Sequence, residues 1–237
     1  MSRLMINGNF TVGVTVGDKA MVTARTTYLV TKPAGLSASS IETRPLFYRG
    51  ETLGARSEII RGDHPGVCTA ASATLLRCVA MMQFRPTPSA GHTDLKNSQT
   101  GTWKEGGLIV VRNAAGVGRT TWQGDLGFAY LLRRSKITIL VRPRSVRKGQ
   151  TVLIAGKFSR ADWDRGGYTG YPAQPVPLEF RKKGTRNFGV VARITTSASG
   201  TVAVAHKPPA DGFYRFYRWG STTTSGYVTA PVLVDVK

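Results

Sequence analysis

The chain's two cysteines, Cys68 and Cys78, are separated by nine residues, most of them small or hydroxylated. A zinc or thioredoxin-like site requires C-x-x-C spacing or further clustered Cys and His ligands, and the sequence has neither. The preceding His-Pro-Gly at 64–66 and the Ala-Ser-Ala in the middle instead predict two short strands joined by a turn. Cysteines facing each other in such a hairpin can form a disulfide, which implies an oxidising, extracellular environment. Two buried free thiols are the alternative.

Residues suited to hydrolysis are sparse. The sequence contains no G-x-S-x-G, H-E-x-x-H, P-loop or dinucleotide glycine motif. A triad needs a histidine oriented by an acid, and the available pairs are Asp63 with His64 and His92 with Asp94. Both pairs fall in segments with flanking Gly or Pro and with no marked nucleophile, so we predict no catalytic residues and no cofactor.

A calcium site would require clustered oxygen ligands. Asp162 and Asp164 on either side of Trp163 are a close acidic pair, but Arg160 and Arg165 bracket them. The sequence therefore favours a packed tryptophan and aspartate–arginine pairs, and we predict no metal.

Aromatic and basic residues interleave in the second half of the chain, a composition that can stack on sugars or bases while neutralising anions. Alternation across 213–219 would place Phe213, Arg215, Tyr217 and Trp219 on one face of a strand. The competing interpretation is that some of these aromatics are core residues and the charged residues are ordinary solvated ones. The predicted ligand or partner surface comprises Trp163, Tyr168, Tyr171, Arg181, Lys182, Lys183, Arg186, Tyr217 and Trp219.

Period-two patterns position these residues on strands. After 134 they predict seven short strands, around 137–141, 152–156, 176–180, 190–194, 202–204, 214–216 and 232–236, with Gly, Pro and Asn turns between them. Seven short strands in about a hundred residues are typical of an immunoglobulin-like sandwich. Before 135 the pattern is looser: Trp103 and Trp122 are expected in a core, and 35–66 is expected to form loops around a broken strand at 46–48.

The second half resembles the C-terminal immunoglobulin-like domain of secreted streptomycete two-domain proteins, often labelled calcium-binding or hypothetical protein. The resemblance covers 135–237 almost continuously and includes Trp163, Tyr168, Gly170, Tyr171, Phe180 and Gly184 in order. It is fainter before that, at 30–36, at the cysteine pair and at 101–104. The resemblance implies two tandem antiparallel β-sandwiches in an exported protein, the first with a disulfide hairpin. We expect domains at 1–134 and 135–237.

The chain carries a formal net charge of +20 over 237 residues. The charge is spread over both halves, since 1–134 has 16 basic and 8 acidic residues and 135–237 has 17 and 5. Such basicity predicts weak, salt-dependent attraction to polyanions, including glycans, without specific nucleic-acid recognition. Arginine richness and a solvated surface would explain the same composition without any function.

No apolar run is long enough to span a bilayer, and no export signal is recognisable near Met1. The sequence as a whole favours a non-enzymatic binding, adhesion or structural module at an actinobacterial surface or in a secreted assembly, with a protein partner or self-assembly among the possibilities. A decoration or tail component of a bacteriophage particle is the alternative and would place the protein in a virion. An uncharacterised enzyme is the third.

Overall fold

A computed structural model of the chain describes residues 1–10, 12–86 and 95–237, in which alternating apolar and polar residues form twenty β-strands. The chain divides into two units, Met1–Leu132 and Arg133–Lys237. The protein is all-β. Within the described residues, the only helical turns are the short 3-10 segments Ala38–Ser40 and Asn97–Gln99, and no helix is long and apolar enough to cross a membrane.

The strands of the first unit form two sheets, in the spatial orders β1-β3-β7-β6 and β2-β9-β8-β4-β5. Their bounds are β1 Ser2–Ile6, β2 Gly13–Val16, β3 Val22–Thr31, β4 Ile41–Arg49, β5 Glu58–Arg61, β6 Val67–Ser72, β7 Leu75–Phe84, β8 Gly101–Arg112 and β9 Gly118–Arg133.

The two sheets of the first unit pack face to face, because apolar residues at alternate positions of several strands are buried. In β7 the buried set includes Leu76, Met82 and Phe84. The ring of Phe84 meets that of Phe47, which lies on β4 in the other sheet, with centroids 5.6 Å apart. This arrangement is a two-layer sandwich.

The predicted disulfide hairpin is confirmed. β6 and β7 pair antiparallel with Cys68 opposite Cys78, and the two form a disulfide. Cys78 is fully buried, whereas β6 is an exposed edge strand. The crosslink therefore fastens the edge of the sheet to its buried neighbour.

Two expectations for the first unit need correction. β4 is an unbroken strand over Ile41–Arg49, since its ladder with β8 continues on both sides of Pro45, which lies opposite Gly107. Trp103 is fully buried and donates from Nε1 to the Gln99 carbonyl at 2.7 Å, as expected of a core residue. Trp122 is only half-buried, because it packs at the margin of a small cluster around Leu46 and Tyr48.

The second unit is an immunoglobulin-like sandwich. One sheet is built around β13, which pairs with β10, β11, β14 and β17, and the other has the order β12-β20-β18-β15-β16 with β19 beside β18. The bounds are β10 Ser135–Ile137, β11 Leu140–Arg142, β12 Ser145–Val146, β13 Val152–Ala161, β14 Tyr168–Gly170, β15 Pro175–Lys182, β16 Gly189–Thr195, β17 Thr201–His206, β18 Gly212–Arg218, β19 Tyr227–Val228 and β20 Val232–Val236.

Each of the seven predicted segments of the second unit coincides with strand structure, with two differences. The first segment is divided into β10 and β11, because the carbonyl of Thr138 bulges against Gly156, where a β-carbon would come within 2.2 Å of it. β12 and β20 pair in parallel, in contrast to the antiparallel pairing expected throughout. The core between the sheets includes Ile154, Phe158, Leu178, Tyr214 and Phe216, all fully buried.

Candidate binding surface on the second unit

The outer face of the sheet that contains β15 and β18 displays aromatic and charged side chains. The inward positions, among them Phe180, Tyr214 and Phe216, are buried. The alternate positions therefore point away from the core, and the strand register sets Arg181 opposite Phe213 and Glu179 opposite Arg215. We call the resulting row the Arg–aromatic stripe, consisting of Phe213, Arg181, Phe188, Arg215, Tyr217 and Trp219.

Arg181 lies between two aromatic rings. Its guanidinium carbon is 4.5 Å from the centroid of Phe213 and 5.2 Å from that of Phe188. Nη1 donates to the carbonyl of Thr185 in the following turn, which holds the guanidinium in place. Among the described residues no carboxylate pairs with Arg181, so its charge is held by ring contacts and one backbone carbonyl.

Arg215 occupies the next position in the stripe. Its guanidinium carbon lies 3.8 Å from the centroid of Phe188 and 6.0 Å from that of Tyr217. In contrast to Arg181, it has an acidic partner, since Nε donates to Glu179 Oε2 at 2.7 Å. Phe188 thus contacts both guanidinium groups, and only one of the two is neutralised.

Tyr217 and Trp219 complete the stripe. Their rings meet edge to face, with centroids 4.8 Å apart and planes at 90°, a favourable arrangement for an aromatic pair. Trp219 is nevertheless 75% exposed. Burial and the nearby Glu179 carboxylate raise the pKa of Tyr217, which favours its neutral form. The end of the stripe is therefore a positioned but uncovered indole.

A basic turn follows Arg181 directly and consists of Lys182, Lys183 and Arg186. All three side chains are exposed. Lys183 Nζ is 3.9 Å from Asp211 Oδ2, a weak ion pair at this exposure. This segment adds positive charge at the end of β15, next to Arg181 in the chain.

The structure brings together six of the nine residues predicted as a surface: Arg181, Lys182, Lys183, Arg186, Tyr217 and Trp219. It also adds Phe188, Phe213, Arg215 and Glu179. The alternation over 213–219 predicts the outward direction of Phe213 and Arg215, but their contacts with β15 and Phe188 follow from strand register, which one segment alone cannot specify.

The other three predicted residues lie elsewhere. Trp163 is 3% exposed, so its assignment to a surface is wrong and the expectation of a packed tryptophan is confirmed; it lies two residues beyond the end of β13. Tyr168 lies on β14 with Lys136 Nζ 3.5 Å from its ring centroid. Tyr171 packs on Phe158 at 5.3 Å and beneath Arg160 at 4.0 Å. Both tyrosines are half-buried and associated with the opposite sheet.

The residues considered for metal binding and catalysis have other local roles. Asp162 is buried, and its Oδ1 accepts from the Arg165 amide at 3.2 Å within a turn. In the described ranges, no group of three or more His, Cys, Asp and Glu side chains is arranged to hold a metal ion. Asp63 accepts two hydrogen bonds from Arg85. The predicted pair of His92 and Asp94 lies outside the described residues.

A concave region lies in the first unit. It has a volume of about 510 Å³, and its lining includes Arg44, Arg61, Asp63, Arg85 and Trp122. Arg44 Nη1 donates to the Asp63 carbonyl at 3.2 Å, and the Asp63 carboxylate is occupied by Arg85. The polar groups at this cavity are thus largely directed at one another.

Comparison with known proteins gives structural likeness only. No protein-family model and no curated protein sequence matches the chain. Among solved structures, the D00-D0 domain of intimin aligns over 92% of this chain and 94% of its own, at 10% identity and a TM-score of 0.32. The Yersinia pseudotuberculosis adhesin InvE aligns over 98% of this chain and 58% of its own, at 10% identity and 0.31. The amphioxus IgVJ-C2 molecule aligns over 94% and 99%, at 12% identity and 0.30. Scores this low do not indicate function.

Proposed function

We propose that the protein is a non-enzymatic binding module that acts outside the cell and contacts its partner through the Arg–aromatic stripe. The exposed indole of Trp219, held edge-on by Tyr217 at the end of a row of stacked guanidinium groups, is the observation that carries this proposal. Adhesion to a surface, or a place in a secreted assembly, is the role that we propose for such a module.

The composition and order of the stripe support this function. Tryptophan, tyrosine and arginine are the residues that most often dominate binding energy at interfaces. The arginines of the stripe are already fixed by ring contacts, by Thr185 and by Glu179. Binding a partner would therefore cost less side-chain entropy here than it would on a surface of free arginines.

The extracellular location is supported by the disulfide between Cys68 and Cys78. Disulfides persist in oxidising compartments and are rare in the cytosol of most organisms. The resemblance of the second unit to domains of secreted streptomycete proteins supports the same location, and an actinobacterial surface is the setting that we propose.

The non-enzymatic character is supported by the engagement of one of the two acids considered for catalysis. Both oxygens of the Asp63 carboxylate accept hydrogen bonds from Arg85. A general base must be within reach of a proton to be abstracted and must be oriented for it.

An array of neutral glycans, acidic glycans and other anionic polymers, probed at about 0.1 M and about 0.5 M salt, tests the function. We expect wild-type protein to retain at least one ligand at the higher salt and Trp219→Ala to lose it. Phe128→Ala is the matched control, because Phe128 is 44% exposed and also meets a tyrosine edge to face, Tyr130 at 5.8 Å in the first unit. The proposal fails if all anions bind alike at the lower salt, if none binds at the higher salt, and if Trp219→Ala binds as wild type does. The protein would then attract anions by its charge and have no specific site.

A further inference from the structure

We propose that the ligand of the Arg–aromatic stripe is an acidic polysaccharide, a chain of sugar rings bearing carboxylates, and that Arg181 is the residue that binds a carboxylate. This inference rests on the proposed function, since it assigns a ligand class to the same surface.

Arg181 has the donors that a carboxylate requires. Its guanidinium has five N–H groups, of which one is directed at Thr185 through Nη1. The rings of Phe213 and Phe188 restrict its orientation without accepting strong hydrogen bonds. A planar guanidinium held in this way can bind a carboxylate through two parallel hydrogen bonds, the strongest common pairing for this side chain.

The charge around Arg181 favours an anionic ligand over a neutral one. Residues 135–237 carry 17 basic and 5 acidic side chains, a net charge of +12. Lys182 and Arg186, which follow Arg181 in the chain, are both exposed. A polymer with repeated carboxylates would be attracted along this surface, whereas a neutral glycan would leave the charge of Arg181 uncompensated.

The dimensions of the stripe suit a linear chain of sugar rings better than a protein partner. From Phe213 to Trp219 it extends six residues, or about 20 Å, and it is about two strands, or about 10 Å, wide. Its area is therefore about 200 Å², against the roughly 800 Å² that each partner of a stable protein complex buries. The exposed indole of Trp219 supplies a flat apolar surface on which the C–H face of a sugar ring can pack.

Glu179 favours a glycan over a nucleic acid. Its carboxylate lies within the stripe, hydrogen-bonded to Arg215 at 2.7 Å, with its side chain 13% exposed. A carboxylate can accept hydrogen bonds from sugar hydroxyls, which a polysaccharide has on every ring. A phosphodiester backbone has few donors to offer at the same position, so it would leave Glu179 without these hydrogen bonds.

The experiment is a calorimetric titration with oligomers of galacturonic, guluronic and glucuronic acids. Each acidic oligomer is paired with its methyl-esterified form, which keeps the backbone and removes the charge, and single-stranded oligothymidine of equal charge is a further arm. The proteins are wild type, Arg181→Gln and Arg147→Gln. Arg147 is an exposed arginine in the turn after β12, so its replacement removes the same charge away from the stripe. Thermal unfolding of each variant checks that it is folded.

We expect at least one acidic oligomer to bind at least about tenfold tighter than its ester, Arg181→Gln to weaken it about tenfold or more, and Arg147→Gln to have little effect. Equal binding of acid and ester, equal binding of oligothymidine, no binding of any acidic oligomer, or an unchanged affinity in Arg181→Gln would each overturn the inference. If the binding of an array ligand still depends on Trp219, these results leave the proposed function intact. If no array ligand depends on Trp219, the proposed function fails together with the inference.

Discussion

The carboxyl group of Glu105 faces Gly127 across the β8–β9 pair, at a position where a β-carbon on Gly127 would come within 2.7 Å of Glu105 Oε2. Glu105 is 1% exposed, and within the described residues neither of its carboxyl oxygens has a hydrogen-bond partner. The missing side chain of Gly127 therefore leaves room for a buried acid that is not compensated by donors.

Replacing Glu105 should change how stability depends on pH. Burial raises the pKa of Glu105 from 4.5 to about 7. A pKa raised by folding adds stability that is present below pH 4.5 and is lost as pH rises through about 7. The shift in pKa corresponds to a loss of about 3 kcal/mol in the free energy of unfolding over this pH range. The Glu105→Gln variant cannot ionise at this position, so its stability should fall less between about pH 5 and pH 8.

Hydrogen exchange of peptides from the first unit, measured against urea at about pH 5 and pH 8, isolates this effect. The side-chain amide that Glu105→Gln introduces has its own burial cost, but that cost is the same at both pH values. The comparison is therefore between slopes and not absolute stabilities. Parallel pH dependence in wild type and variant would refute the assignment.

His206 should produce the opposite pH dependence in the second unit. Its Nδ1 lies 2.7 Å from the hydroxyl of the buried Tyr214, and desolvation lowers the pKa of the imidazole below its usual 6.5. A pKa lowered by folding gives stability that is present above pH 6.5 and is lost as pH falls below it. His206→Asn should reduce this loss.

The measurement is urea unfolding of the second unit between about pH 5 and pH 7.5, with Tyr214→Phe as the control. Tyr214→Phe removes the hydroxyl partner but keeps the titrating imidazole, so it should lower stability while retaining most of the pH dependence. If His206→Asn loses stability on acidification as steeply as wild type, another group is responsible.

Removing the disulfide should destabilise the first unit selectively. Cys68 and Cys78 enclose a loop of about ten residues, and closing so short a loop is worth roughly 2 to 3 kcal/mol in the chain-entropy model. The double variant Cys68→Ala/Cys78→Ala should lose about this much in unfolding experiments that resolve the two units. An unchanged stability of the first unit would show that the pairing of β6 with β7 needs no crosslink.

The sequence predicts strands and faces better than it predicts contacts between strands. The alternation over 213–219 correctly separates inward Tyr214 and Phe216 from outward Phe213 and Arg215. Contact between Arg215 and Phe188 depends on the register of β15 with β18 and on the turn that carries Phe188. The two residues are far apart in the chain, and no local period relates them.

Trp163 shows that burial is hard to predict where a residue lies in a turn and not in a strand. It lies beyond the end of β13 in a turn where Asp162 accepts from the Arg165 and Gly166 amides, and no alternation applies to such a turn. The turn has a tryptophan among charged residues, which is also the composition of an exposed binding site. Burial is decided by how the turn folds back, which is why the residues led both to a packed Trp163 and to its inclusion in a surface.

Arg181→Lys separates the role of charge from that of geometry in the stripe. Lysine keeps the positive charge but loses the planar fork, the stacking between Phe213 and Phe188 and the bond from Nη1 to Thr185. If a fixed guanidinium binds the carboxylate, the affinity for an acidic oligosaccharide should fall nearly as far in Arg181→Lys as in Arg181→Gln, by about tenfold. Calorimetric titration at about 0.15 M salt measures this, with Lys182→Arg as the reciprocal control on the neighbouring exposed position. Full retention of affinity in Arg181→Lys would mean that the stripe attracts anions by charge alone and that the two rings have no part in recognition.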